Sequence, residues 1–473
     1  MQDKKTRPFG LRDKLGYLFG DFGNDFTFIL STMILTKFYT DVMGVSAGVV
    51  GLVMMVARFV DGFTDVAFGR ICDRARSTAA GKFKPWLLRM CIPVAAASFL
   101  MYQSSLAGMS LRFKTVWLTA TYILWGSVFY TCINIPYGSM ASAISASPQD
   151  RQSLSTFRSM GATLAGMIVG IALPMLAYEK NAAGKEVLVG TRVTIAAGVF
   201  SALAIVCYLL CYFLVRERVR LAPSGGPAQK NSVIGMLRNA ARNRALLSII
   251  AASVLMLLAQ LTMQNMASYI FPEFYNSANA QAASTVAMLL AMLACAAVAK
   301  PLSTRFGKAE LGAVSAFFAA VVCMGLFFLR PQSVGIYIAL QSLCWLGLGM
   351  FTMVSWAMIT DVIDYAQVKN GIREDGAVYA LYSFARKLGQ ALAAGASGFL
   401  LDAIGYDPTR AQAGSAQGRQ VLDGMFNIST LLPAIGFAAL GFVLWLWYPL
   451  HKAEVEKNTN ILQEKQKLKE DDE

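Results

Sequence analysis

ARFVDGFTDVAFGRICDRAR, residues 57–76, starts inside a long apolar segment and ends in a cluster of arginines. Arg58, Asp61 and Asp65 stand three and four residues apart, a spacing that puts all three side chains on one face of a helix. An ionised group near the middle of a bilayer costs about 2.5–3.5 kcal/mol on insertion scales. Three on one face are not expected to point at lipid. They are expected to face a polar interior, where a cation can sit between the two carboxylates and the arginine can balance their charge.

The composition supports a membrane reading. Of 473 residues, 56% are hydrophobic and 15% charged, with a mean hydropathy of +0.50, against about 25% charged in ordinary soluble domains. Apolar runs of spanning length recur along the whole chain, which indicates a polytopic membrane protein. The net charge of +14 would suit a nucleic-acid binder, but its placement argues for topology instead. Basic residues crowd the N-terminal arm (Lys4, Lys5, Arg7, Arg12, Lys14), the loop from Arg70 to Lys84, the segment from Arg216 to Arg244 and the C-terminal tail. The alternate loops carry few, such as Arg112 and Lys114, or Arg330 alone. This positive-inside pattern predicts that both termini are cytoplasmic. No cleavable signal is expected, because the charged arm leads into a full-length span.

Twelve spans are predicted, near 16–40, 46–71, 85–107, 114–143, 152–178, 191–215, 245–271, 279–302, 310–329, 333–359, 376–403 and 424–449. The expected domains are an N-terminal six-helix bundle (1–215), a central linker (216–244, with the PSGGP breaker run), a C-terminal six-helix bundle (245–450) and a tail (451–473). The halves share a frame: Arg158, Gly161, Leu164 and Ala165 in span 5 match Arg386, Gly389, Leu392 and Ala393 in span 11. The fold class expected is an all-α membrane protein of twelve transmembrane helices in two pseudo-symmetric six-helix bundles, the plan of a major-facilitator transporter.

Few polar groups lie at membrane depth beyond Arg58, Asp61 and Asp65. Span 1 offers Asp21, Asn24 and Asp25, and span 4 offers Tyr130, Thr131, Asn134 and Tyr137. Span 5 offers Arg158, span 10 offers Trp356, and span 11 offers Ser383, Arg386, Lys387 and Gln390. Structural readings compete at each place: Arg158 can snorkel, Asn134 can simply tie helices together, and the tyrosines and Trp356 can pack. Asp73, Arg74, Asp361, Asp364, Arg373 and Glu374 sit at span ends and suit helix latches better than substrate contacts. The eight cysteines lie in or beside apolar segments without metal-ligand spacing, and are expected to be small core residues. There is no P-loop, no Ser-His-Asp set and a single histidine, His451, so neither an enzyme nor an ATP-driven pump is expected.

YLFGDFGNDF (17–26), KFYTDVMGVSAGVVG (37–51), ARFVDGFTD (57–65), GKFKPW (81–86), NIPYGSM (134–140), TDVIDY (360–365) and YSFARKLGQA (382–391) resemble the glycoside–pentoside–hexuronide:cation symporters. That branch of the major facilitator fold contains the melibiose permease and the glucuronide carriers. The likeness runs almost the whole length, with motifs of both halves in order. It implies that Asp61 and Asp65 form the cation site with Thr131 as a neighbouring oxygen ligand. It places Asp25, Tyr130, Asn134 and Arg158 at the sugar, and Lys387 between sugar and cation. Arg386, Gln390 and Trp356 complete the expected substrate side, with Arg58 and Lys387 in coupling.

Departures from the melibiose-permease pattern bear on the substrate. That protein has an aspartate where this chain has Asn134, a tryptophan where it has Gly138, and no arginine matching Arg386. The pattern here looks more like the glucuronide carriers, and it makes the cavity more positive. An acidic sugar is therefore expected, a hexuronide or a sulfonated sugar such as sulfoquinovose, with neutral glycosides or an uncoupled facilitator as alternatives. The coupling ion is H+ or Na+: Asp61, Asp65 and Thr131 offer oxygens to sodium, whereas a proton needs one desolvated carboxylate. No cofactor is expected, no nucleic acid, and a monomer as the working unit.

Overall fold

The structure, a computed structural model, describes residues 7–75, 77–78, 80–219, 243–370 and 375–471. Most of the predicted linker, together with Arg373 and Glu374, lies outside the described residues, as does the side chain of Asp73. Long helices occupy the twelve predicted places: α1 (Leu11–Asp41), α2 (Ala47–Arg74), α3 (Lys84–Leu100), α4 (Leu111–Ile144), α5 (Pro148–Ala177), α6 (Gly190–Leu214), α7 (Arg244–Phe274), α8 (Ala278–Phe306), α9 (Lys308–Leu329), α10 (Val334–Asn370), α11 (Asp375–Ala403) and α12 (Arg419–Trp447). Nine of them are long and apolar enough to cross a membrane, counted over the described residues; α1, α3 and α11 fill the other three places. The tail forms a further helix, α13 (Lys452–Asp471).

Local chemistry sets the helix ends. Ser46 accepts from the Val49 amide at the start of α2, Ser110 from Phe113 at α4, and Asn243 from Leu246 at α7. Prolines sit inside α3, α4, α5, α8 and α12, tolerated in membrane helices where neighbours satisfy the freed carbonyls. Three π-helical segments interrupt the α-helical register: Leu124–Tyr130 within α4, Ile270–Phe274 closing α7, and Val443–Trp447 closing α12. Such segments turn side chains onto new faces and favour functional places. Between α5 and α6 stands a short antiparallel hairpin, β1 (Tyr178–Lys180) with β2 (Glu186–Leu188), closed by a turn in which Gly184 has φ +76°.

The chain forms two compact units. One gathers α1–α6 with Phe271–Thr285 and Gly395–Leu422; the other holds the rest of the second half. In the first, α1 packs mainly on α5 and α6, and α2 on α4. The approach of α1 is close because its glycines leave room: a Cβ on Gly20 would enter the Tyr137 ring. Glu217 fastens the chain after α6 to the start of α3, its carboxylate accepting from the amides of Lys82, Phe83 and Lys84 at 2.7–2.9 Å. A carboxylate on the first amides of a helix also meets the positive end of its dipole. In the second unit, α9 packs on α10, and Lys308 grips Asp361 at 2.6 and 2.8 Å.

The repeated sequence frame has a physical meaning in each unit. A Cβ on Gly161 of α5 would fall 2.5 Å from the Leu18 carbonyl oxygen of α1. A Cβ on Gly389 of α11 would fall 3.3 Å from Leu257 of α7. In both units the frame's glycine is the point where the fifth helix of a half touches the first, so the repeat records a shared helix crossing.

The eight cysteines are all free, and seven are buried.

Candidate functional site

In the first unit α2 presents its charges to α4. Asp61 is buried, and Arg58 reaches its Oδ2 at 3.4 Å. The Arg58 guanidinium also lies over the Phe28 ring of α1, 5.0 Å from its centroid. Thr131 donates to Asp65 Oδ1 at 2.8 Å. One turn earlier Ser127 donates to Asp61 Oδ1. The α4 backbone comes close as well: a Cβ on Gly126 would be 3.7 Å from Asp61 Oδ1. Thr131 was expected beside the aspartates from the resemblance. Ser127 was not, because a serine in a membrane helix carries no signal by itself, and only the π-helical turn shows where it points.

A second group surrounds α1 and α5. Arg158 Nε meets Asp21 Oδ1 at 3.0 Å, and its guanidinium lies 5.3 Å from the Tyr137 centroid. Asn24 donates to Asn134 at 3.3 Å and accepts from the Tyr208 hydroxyl at 2.9 Å. Asp25 is half-buried and has no hydrogen bond or ion pair among the described residues. Tyr130 stacks on Phe28 at 6.0 Å. Tyr137 is fully buried, stacked on Tyr17 at 4.6 Å and donating to the Tyr17 carbonyl at 2.6 Å. Of the two tyrosines, Tyr137 is therefore a packing residue. The space beside Gly138 belongs to Arg158, whose Nη1 would lie 3.7 Å from a Cβ there.

The second unit holds the α11 residues. Arg386 lies over the rings of Trp356 (5.6 Å) and Tyr382 (5.9 Å), and no carboxylate pairs with it among the described residues. Trp356 meets Tyr382 edge-on at 5.1 Å and stays 44% exposed, while Tyr382 is buried and accepts from Ser253 at 2.8 Å. Lys387 and Gln390 are half-buried on the same helix.

One cluster escaped the sequence reading. At the C-terminal end of α1, buried Lys37 pairs with Asp41 (2.7 Å) and Glu273 (2.7 Å), and Lys185 of the hairpin turn pairs with Glu273 (2.9 Å). Tyr406 donates to Asp41 at 2.6 Å. Glu186 accepts from the Ala278 amide, and its own amide donates to Asn276 at 2.7 Å. Lys37 and Asp41 stand four residues apart, but Lys185, Glu273 and Tyr406 come from distant stretches, so their meeting does not show in the sequence.

The sequence matches, over residues 16–452, the family model described as MFS/sugar transport protein. It is 31% identical over 448 residues to the glucuronide carrier protein homolog of Escherichia coli, covering 93% of this chain and 92% of that one. It is 30% identical over 418 residues to a putative sulfoquinovose importer of Salmonella typhimurium, covering 87% and 85%. It is 29% identical over 450 residues to the isoprimeverose transporter of Lactiplantibacillus pentosus, covering 93% and 89%. The chain therefore belongs to the MFS/sugar transport protein family, whose model it matches over nearly its whole length.

Proposed function

We propose that the protein imports an acidic sugar or glycoside together with a monovalent cation, H+ or Na+, by alternating access in a bacterial inner membrane, with both termini cytoplasmic. The observation that carries the acidic preference is Arg386: a guanidinium lying over two aromatic rings, without a carboxylate partner among the described residues. A half-buried guanidinium without a counter-charge suits an anionic ligand, which can make a bidentate, charge-assisted contact with it. Half-exposed Trp356 offers a ring face beside it, suited to a sugar.

The roles follow from charge. A cation at Asp65 and Thr131, near Asp61 and Arg58, offsets negative charge on α2. Lys387 and Arg386 bring positive charge toward the acid group of the sugar. In the first unit Asp25, Asn134 and Tyr130 offer hydroxyl-binding groups, with Arg158 beside them; in the second, Gln390 lies one turn from Arg386. Closure is cheap when the charges are matched, with both ligands bound or neither. A relative named for glucuronide and one named for sulfoquinovose support the acidic reading. The isoprimeverose transporter keeps a neutral glycoside as the second reading.

The test is uptake of labelled glucuronide, sulfoquinovose, xyloside and galactoside into membrane vesicles, with pH and sodium gradients imposed separately. The acidic sugars should accumulate, and Arg386→Gln should weaken their uptake by about 10- to 100-fold, the scale of one charge-assisted hydrogen bond. Preferential accumulation of a neutral glycoside, untouched by Arg386→Gln, would overturn the acidic reading.

A further inference from the structure

Tyr122 of α4 stands beside Arg58. It is fully buried, its ring set against Trp125 at 5.6 Å, and Trp125 in turn lies against Tyr130 at 5.5 Å. Packed in this way, the Tyr122 hydroxyl cannot turn out to solvent. It faces the Arg58 guanidinium, with Asp61 and the Ser31 hydroxyl of α1 close by. Yet neither the Tyr122 nor the Ser31 hydroxyl has a hydrogen-bond partner among the described residues. Ser31 stands three residues from Phe28, over whose ring the guanidinium lies, so both share a face of α1. Thus α1 and α4 surround Arg58 with rings and hydroxyls, while its own helix offers Asp61.

A buried hydroxyl without a partner is costly, and native interiors leave few. A small movement of one side chain satisfies both. If the guanidinium shifts, an Arg58 N–H donates to the Tyr122 oxygen and the Tyr122 O–H donates to the Ser31 oxygen, so that each donor meets an acceptor. The grip of Arg58 on Asp61 permits the shift: it is a contact of 3.4 Å, longer than the about 2.7–2.9 Å of a tight charged pair. We propose that Tyr122 is a positioning residue of the cation site, a second seat that receives the Arg58 guanidinium when a cation arrives at Asp61. Two positive groups would otherwise compete for one carboxylate. Tyr122 acts through Arg58 and touches neither the cation nor the sugar. This inference rests on the cation-coupled reading above.

The experiment measures uptake in vesicles, driven by whichever gradient drives the wild type. Its readouts are the half-saturating cation concentration and, at saturating cation, the sugar KM and maximal rate. Tyr122→Phe keeps the ring and removes the seat. It should raise the half-saturating cation concentration about three- to tenfold, the scale of one hydrogen bond, with sugar KM and maximal rate within about twofold. A Tyr122→Phe protein with wild-type cation dependence overturns the inference. So does a defect in sugar KM alone, or one spread equally over all three readouts, which marks a merely structural tyrosine. Should Tyr122→Phe fail to reach the membrane, Ser31→Ala, which removes the acceptor of the Tyr122 proton, decides by the same criterion with an expected rise of about two- to threefold. A wild type whose uptake ignores both gradients removes the coupled reading and this inference with it, a different result from a coupled wild type and an unaltered variant.

Discussion

Two buried charge clusters in the first unit are built to opposite ends. At the end of α1, two lysines and two carboxylates from separate stretches of chain interlock at 2.7–2.9 Å, and Tyr406 adds a hydroxyl at 2.6 Å. Charge there is balanced, and the geometry is tight. In the middle of α2 one arginine faces two carboxylates, and its ion pair is longer, at 3.4 Å. The stretch from Arg58 to Asp65 carries one positive and two negative side chains, and hydroxyls of α4 donate to both carboxylates. A closed, neutral network stabilises one arrangement. On the proposed coupling, the α2 carboxylates with their hydroxyl neighbours take up a cation and release it.

The largest effect should come from opening the balanced cluster. Lys37→Met leaves the Asp41 and Glu273 carboxylates buried with one cation fewer. Removing one partner of a buried pair typically costs about 3–5 kcal/mol, so thermal unfolding in detergent should occur well below the wild type. Lys37→Met combined with Glu273→Gln should recover part of that loss; no recovery would mean that pairing is not what Lys37 contributes.

The α2 cluster should behave the other way. Asp65→Asn should leave the unfolding temperature near wild type but bring sugar accumulation against a gradient down to equilibration. Accumulation retained by Asp65→Asn would detach that carboxylate from coupling and erase the contrast. Lys387→Ala is expected to abolish accumulation as well, measured in membranes with equal protein content.

A smaller change is expected at Glu217, which grips three amides of one helix start yet touches neither cluster. Glu217→Ala should cost about 1.5–3 kcal/mol of stability, the range for hydrogen bonds to a charged group, with substrate and cation affinities unaltered in equilibrium binding assays. Smallest of all is Gly126→Ala. The added methyl would sit at ordinary contact distance, 3.7 and 3.9 Å, from the Asp61 oxygens. The half-saturating cation concentration should move by no more than about threefold, because a hydrogen bond is neither lost nor gained.

Much of this architecture was legible in the residues themselves. Lipid forces spanning segments to be long, apolar and internally hydrogen-bonded, so the places of the helices follow from one dimension of sequence. The same cost makes each intramembrane charge conspicuous, which is why Arg58, Asp61, Asp65, Arg158, Arg386 and Lys387 stood out. The matched frame at Gly161 and Gly389 pointed to a repeat before its helix crossings were seen.

What the sequence could not give was partnership. Asp21 looked like one polar group among several until Arg158 was found 3.0 Å away, and Lys37, Asp41, Lys185, Glu273 and Tyr406 are spread over hundreds of positions. Ser127 acquires meaning only because seven residues of α4 follow a π-helical register. Burial cost is a property of a residue and the thickness of a bilayer, so it can be read along a string. Pairing depends on a few ångströms between side chains of different helices, and folding alone settles those.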